Sequence, residues 1–480
     1  ACMQTDAAGE SSGLPATFFV LSGAAAIVAG ASIPGAPPGV NFSATGALVL
    51  AAVWAARRTT LANSDHVLIG IGTVLLIFSA VRSATWVLAL DLVCFVAIVS
   101  VAMARARGWV EVSMSAPRTL RTLPRGTALV LGPAAKKAAH DVRFTPVLRT
   151  VTMMALAVAV FGGLFASADP AFASLADDFL VPSLDLSLLP ARAATAIGVV
   201  ALAGSLTLQS VESAATTVPN FSERRLKLGG AEWKATLILL DLLFAGFVAV
   251  QLAVLFGGHD HVLGTTGLTY AEYARQGFIQ LMAASVLTLG VVAAAVRVPR
   301  TGRADRAWLR VLLGILCVLT LVILASASKR MNLYQEAYGF TRLRLLADLA
   351  ILLLGGTFLL LLAAGTMWKG AWLPRAIVIL GAAALIGFNF YNPDARIAEK
   401  NVHRFFRTAQ IDLDYLAGLS PDAVPELMAL PEPERECALD RLGEQLVERA
   451  APSSWNLARD RARGLLRESF PEGARCPGVE

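Results

Sequence analysis

Charge is scarce in this chain of 480 residues: Asp, Glu, Lys and Arg make up only 16 % of it, against about 25 % in a soluble domain. Apolar residues reach 56 %, and mean hydropathy is +0.62. A water-soluble sphere cannot hide that much apolar surface, so a soluble enzyme is excluded, and so are a disordered chain and a coiled coil. The motifs of familiar chemistry are also missing. There is no Walker A loop, no His-Glu-x-x-His, no Gly-x-Ser-x-Gly and no dinucleotide fingerprint. No basic stretch is interleaved with aromatics, which argues against nucleic acid as a partner. No long internal repeat stands out, which weakens a transporter built from inverted repeats without removing it. No cofactor is implied. The five histidines form one close pair, His259 and His261, and no second anchored ligand pair exists to complete a metal site.

What remains is long apolar runs. A bilayer core of about 30 Å needs roughly 20 apolar residues in a helix. Eleven stretches qualify: Pro15–Ile33, Val40–Ala56, His66–Val81, Ala84–Ala104, Val147–Ala168, Leu189–Val211, Trp233–Gly257, Tyr270–Val296, Ala307–Ser326, Arg342–Met367 and Leu373–Phe390. The second and third are short enough to be a re-entrant pair. No charged segment precedes the first, so it reads as a span and not a cleaved signal. The expected fold is all-α, a polytopic transmembrane bundle of about eleven spans with a small helical domain after it. Residues 1–104 hold the first four spans, 105–146 a basic cytoplasmic loop, 147–390 the other seven spans and 391–480 the C-terminal domain.

Orientation follows from lysine and arginine near the span ends. Nine basic residues crowd 105–149, and Arg57-Arg58, Arg224 to Lys234, Arg297 to Arg306 and Lys369 with Arg375 fall on the same side by alternation. That side is the cytoplasm, so the N-terminus is cytoplasmic and the C-terminal domain outside. Lys329–Arg344 is the exception, basic yet placed outside. In the C-terminal domain, Ser420-Pro421 reads as a helix start. Leu439, Leu442 and Leu446 recur at helical spacing over 434–449, and a further helix is expected over 455–467. Cys437 and Cys476 both fall there, a candidate disulfide in an oxidising compartment.

Polar chemistry concentrates in two places. Ionisable residues inside spans are costly and usually paired or functional; they are Asp91, Asp241 and Asp348, the last with Arg344 one turn earlier as an expected partner. The denser signal lies where three separated stretches reach the outer face. They carry Tyr270, Glu272 and Arg275; Arg330, Tyr334, Tyr338, Thr341 and Arg342; and Asn392 and Asp394. An interfacial belt explains tyrosine and arginine, but not Glu, Asn and Asp among them. A pocket for an anionic or sugar-like, lipid-linked group is the preferred reading.

These same stretches carry a resemblance. Gln251–Gly258, Leu268–Arg275, Gly277-Phe278, Arg330–Arg344, Asn392-Pro393-Asp394, Asp414–Leu416, Ser420–Pro425 and Ser454–Asn456 are similar to a bacterial membrane-protein family of unknown function, the domain-of-unknown-function family numbered 4173. The likeness covers roughly 230–460 and implies a multi-pass protein of the bacterial inner membrane. It carries no activity. Three functions stay open: a transporter or binder of an envelope or lipid-linked ligand; a non-catalytic partner of another membrane protein, docking through the helix around Leu439–Leu446; and an envelope enzyme such as a lipid-linked sugar transferase, with Glu272 or Asp394 as base. The first outside loop, Pro34–Gly39, has no acid, against the enzyme.

The topology makes the first prediction. With Cys2, Cys94 and Cys317 replaced by alanine, a membrane-impermeant maleimide should label Cys437 and Cys476 in intact cells only after reduction. Labelling that requires lysis would put the C-terminal domain in the cytoplasm.

Overall fold

The computed structural model describes residues 14–57, 61–140, 186–215, 230–256, 278–297, 302–367, 370–447 and 451–469. Over these residues the fold is all-α, with no strand. The helices are α1 (Ala16–Ser32), α2 (Val40–Arg57), α3 (Asn63–Val81), α4 (Thr85–Met103), α5 (Trp109–Arg121), α6 (Leu123–His140), α7 (Leu189–Ala215), α8 (Gly230–Phe256) and α9 (Phe278–Ala295). They continue with α10 (Arg303–Tyr338), α11 (Arg342–Met367), α12 (Leu373–Tyr391), α13 (Pro393–Thr408), α14 (Leu413–Ala417), α15 (Val424–Leu427), α16 (Glu434–Val447) and α17 (Leu457–Ser469). Eight of them, α3, α4 and α7 to α12, are long and apolar enough to cross a membrane; α1 and α2 are shorter apolar helices. This is an integral membrane protein with a multi-pass helix bundle. Of the eleven expected spans, only Val147–Ala168 lies outside the described residues.

Apolar side chains face outward as well as inward, as lipid-solvated helices must. Leu239, Leu242 and Leu243 of α8 and Ile279 and Leu287 of α9 are each about two-thirds exposed or more. A large core joins α1 to α4, α7, α12 and the C-terminal helices. A second packs α8, α9, α10 and α11, and a third seals the other end of the α8–α9–α10 contact around Trp233, Leu237 and Leu312.

The stretch 105–146, read as a loop, contains two helices laid on the bundle. Glu111 caps the first, accepting from the backbone N–H groups of Arg107 (2.8 Å) and Gly108 (3.0 Å), which hold its carboxyl below the usual range. Helix α5 is inverted for a soluble protein: it buries Ser115 and Thr119 and exposes Trp109 and Leu120. The buried hydroxyls are bonded across helices. Thr119 donates to Gln209 Oε1 of α7 (2.7 Å), Gln209 Nε2 returns a bond to the Ser115 carbonyl (2.7 Å), and Ser100 of α4 meets Thr119 at 2.7 Å. Between membrane helices such bonds replace the missing hydrophobic drive for association. Sequence patterning looks for apolar faces turned inward, so this hairpin stayed hidden as a basic loop.

Two ends of the bundle are distinct. At one, Arg375 donates to Asp65 (2.8 Å), to Ser64 (3.0 Å) and to the Ala106 carbonyl (2.6 Å). At the other, the loops at 33–39, 82–84 and 339–341 and the end of α12 meet the C-terminal helices. There Arg459 donates to the Pro38 carbonyl (2.7 Å), Asn456 to the carbonyls of Ser79 (3.0 Å) and Arg82 (2.8 Å), and the Val40 N–H to Trp455 (3.0 Å). This is the same partition of loops that the charge alternation gives.

Where α6 crosses α7, Gly126 and Gly204 bring two backbones into contact, and a Cβ on either would strike the other helix's main chain. Gly126→Ala should therefore cost about 1–3 kcal/mol of stability by overpacking. Gly132→Ala, where an added Cβ meets nothing, should be neutral or better. Thermal unfolding of both variants in one detergent separates them; equal midpoints would remove the close crossing.

Candidate functional site

Helix α10 runs 36 residues, about 54 Å at 1.5 Å per residue. It exceeds the bilayer core, so its last turns, from about Lys329, stand beyond the apolar layer as helix. It stops at Gly339, whose φ of +83° ends the helix in a conformation that favours glycine. The expected stripe Arg330–Tyr334–Tyr338 therefore lies on one helix, but Thr341 does not continue it. Asn401 of α13 holds the break, its Oδ1 accepting from Phe340 N (3.1 Å) and its Nδ2 donating to Phe340 O (2.9 Å).

Immediately after the break comes Arg342. Its Nε and Nη2 grip both oxygens of Asp394, at 3.1 and 2.7 Å, and Nη2 also reaches the Gly418 carbonyl at 3.2 Å. Asp394 is fully buried and accepts further bonds from Trp86 Nε1 (3.0 Å) and the Ser420 N–H (2.9 Å). The Tyr415 hydroxyl accepts from the Arg342 N–H at 2.7 Å, and burial raises that phenol's pKa. Beside this lies a second carboxylate, Asp422, which accepts from Ser83 N (2.7 Å) and Oγ (2.6 Å) and from Ser420 Oγ (3.2 Å), with Arg82 at 3.5 Å. Arg459, buried close by, is pushed down to about 10 by desolvation and then by Arg463, with Asp422 pulling the other way. Both oxygens of Asp394 are thus committed; the pair it makes with Arg342, with Trp86, Tyr415 and Ser420 around it, forms a lock. Arg342 is committed with it.

The other expected residues divide similarly. Asp91 accepts from Asn389 Nδ2 at 2.9 Å, and Arg82 holds the Asn389 carbonyl at 2.8 Å. Asn392 takes a left-handed conformation (φ +54°) that ends α12 and opens α13. Arg330 donates to Gln251 of α8 at 2.8 Å. Asp348 does not take Arg344 as its partner; it accepts from Gln335 Nε2 at 2.6 Å. Arg344 instead donates to the carbonyls of Tyr338 and Gly339 and stacks 4.4 Å over the Tyr334 ring, which packs on Tyr338. A helix C-terminus presents unpaired carbonyls, and those draw the guanidinium away from an acid one turn along. Asp241 has no hydrogen-bond partner on either oxygen among the described residues. Tyr270, Glu272, Arg275 and the His259–His261 pair lie outside the described residues, and no metal-binding cluster occurs among the described ones. Cys437 is disulfide-bonded, while Cys476 lies outside the described residues.

An open cleft of about 440 Å³ lies between the end of α10 and the polar face of α13. Gln335, Glu336 and Phe340 line one side and Glu399, Lys400, His403, Arg404 and Arg407 the other. Arg404 is bound to the Ala337 carbonyl (2.8 Å) and Gln410 (2.9 Å), and Glu399 to Arg396 (2.5 Å). Lys400, His403 and Arg407 are exposed and make no hydrogen bond or ion pair with described residues. The periodicity of 400, 403, 404 and 407 on one helix face was a legible signal that attention to tyrosine and acidic residues passed over.

A family model, "Domain of unknown function (DUF4153)", matches residues 67–430. The chain belongs to that family. Its number corrects the 4173 read from the motifs. The DUF4153 match also begins far earlier than the likeness did, taking in α4 with Arg82, Ser83 and Trp86, and it closes after Asp422, so the whole lock lies within it. No curated protein and no solved structure matches.

The lock yields a prediction. Asp394→Asn leaves Arg342 without its counter-charge in a half-buried place and should cost about 3–5 kcal/mol, read as a lower unfolding midpoint and faster proteolysis after residue 408. Tyr415 adds a pH limit: its contribution is complete below the ordinary phenol value and is lost as pH rises through the raised folded value. A stable, protease-resistant Asp394→Asn would overturn the lock.

Proposed function

We propose that this protein is a multi-pass protein of the bacterial inner membrane that binds an anionic, envelope or lipid-linked ligand in the cleft between α10 and α13, on the outer side. The observation that supports it is the cationic stripe Lys400, His403 and Arg407, unbonded among the described residues, lining a cleft in which Glu399 and Arg404 are already engaged and Glu336 is the one acid that faces the stripe with no bond to a described residue. The neighbouring arginines Arg342, Arg344 and Arg404 are held by the fold; these three side chains are not held by any described residue. A phosphate-bearing headgroup suits the chemistry, because two fixed cations and an imidazole give charge-assisted bonds to its oxygens. The position suits it too, since α13 follows a span directly and exposes Phe406, an aromatic fitted to the headgroup layer.

The orientation belongs to the same proposal: N-terminus in the cytoplasm and C-terminal domain outside. The basic segment Lys329–Arg344, the exception to the charge rule, is compatible with it. Arg330, Arg342 and Arg344 are bonded to Gln251, Asp394 and main-chain carbonyls, so they are fastened to the fold rather than offered to a cytoplasmic leaflet. Binding is preferred to catalysis because Asp394, a candidate base, is buried and fully bonded. The partner reading is not favoured in its original form: Leu439, Leu442 and Leu446 are buried in the C-terminal core and present no docking face.

Native mass spectrometry with added phosphatidylglycerol tests the reading. Each cation near anionic lipid contributes about 1 kcal/mol, so Lys400→Ala with Arg407→Ala should weaken retention roughly tenfold or more and leave phosphatidylcholine retention unchanged. Equal loss for both lipids, or no loss, would overturn it.

A further inference from the structure

The second place where the molecule leaves a charge unanswered is inside the membrane layer, and it is independent of the cleft. Asp241 lies near the middle of α8, in the stripe Trp233, Leu237, Asp241, Phe244, Val248 that packs on α10. It is 7 % exposed, and neither oxygen has a hydrogen-bond partner among the described residues. Ser326 of α10 reaches across to Gln251 of α8 (3.1 Å) rather than to Asp241, and other buried hydroxyls of α10 and α9 are spent on their own helices. Thr320 donates to the Leu316 carbonyl (2.7 Å), Ser285 to Leu281 (2.9 Å) and Thr288 to Ala284 (2.8 Å).

The charged groups of the neighbouring elements are likewise accounted for. On α8 itself Lys234, two turns away, pairs with Asp305 of α10 at 2.7 Å. Glu232 precedes it at the helix end. On α10, Cys317 is the titratable group within reach of the carboxylate; it is buried and a free thiol, and offers no counter-charge. Arg330 is held by Gln251, about 15 Å along α8 from Asp241 by helical rise. Arg310 is exposed, off the α8-facing positions Leu309, Leu312 and Leu316. Helix α9 has no titratable residue. On α11, Asp348 is bonded to Gln335, and Arg342 and Arg344 sit at the far end with their own partners.

An ionised carboxylate with no donor and no cation is not tolerated in an apolar layer; it takes up a proton or a cation. We propose that Asp241 is a proton-binding site in the α8–α10 seam, held as the neutral acid at neutral pH and exchanging that proton with solvent as pH rises. No set of oxygen ligands converges on it, which favours a proton over a metal ion. Asp91, by contrast, accepts a hydrogen bond from Asn389 and serves as the internal control.

Infrared spectroscopy of the full-length protein in lipid nanodiscs tests this directly. A protonated carboxyl gives a carbonyl band distinct from ionised carboxylates, and it shifts in heavy water. The expected result is a component of such a band at neutral pH that is lost in Asp241→Asn, remains in Asp91→Asn and fades in the wild type as the buffer is made alkaline. A wild-type band that titrates and shifts in heavy water, read without any variant, keeps the test valid if Asp241→Asn folds poorly. An unchanged band in a folded Asp241→Asn, or a band abolished at neutral pH by sodium but not by choline, would overturn the proposal.

Discussion

The fork between Arg342 and Asp394 is the constraint on which this end of the molecule depends. Arg342 opens one span, Asp394 opens the helix that leaves the bundle, Trp86 comes from the first turn of a third helix, and Ser420 from the C-terminal domain. One carboxylate therefore fixes four segments separated by up to some three hundred residues. A buried ion pair of this kind contributes little net stability, since desolvation cancels much of the attraction. Its value is geometric: a planar guanidinium meeting two carboxylate oxygens admits one arrangement. Around it the buried carboxyls Asp91, Asp394 and Asp422 stand near the arginines Arg82, Arg342 and Arg459.

Much of the architecture was legible in the sequence because the membrane enforces it. Apolar runs long enough to span must be helices, and ten of the eleven runs meet a described helix. The helix over Leu439–Leu446 follows from its spacing and is buried as expected. What escaped notice obeys other physics. Helix α5 turns hydroxyls inward and a tryptophan outward, the reverse of the pattern by which amphipathic helices are recognised. The Arg344–Asp348 pair is a sound local expectation, defeated by the open carbonyls of a helix end that only the Gly339 break creates. Arg342 and Asp394 are brought together and Tyr334 packs on Tyr338 under Arg344, but the sequence could not say which of these residues satisfy which.

That self-satisfaction redirects the search for function. A cluster of arginine, tyrosine and aspartate looks like a ligand pocket until its hydrogen bonds are traced; here they close on themselves. Among the described residues, the groups that draw attention instead are plainer ones: a lysine, a histidine and an arginine on one face of α13, and a carboxylate in the seam between α8 and α10. In a family whose description assigns no activity, unspent polar groups are a better guide than dense ones.

The length of α10 has a mechanical consequence. A rod of about 54 Å whose last turn is held by Arg404, and whose exit at Phe340 is held by Asn401, is tied at that end to α13. Tilting it by about 5° would sweep its far end through about 5 Å, nearly one helical pitch. Bundle and C-terminal helices are thus joined as one lever, pivoting where α13 holds the end of α10.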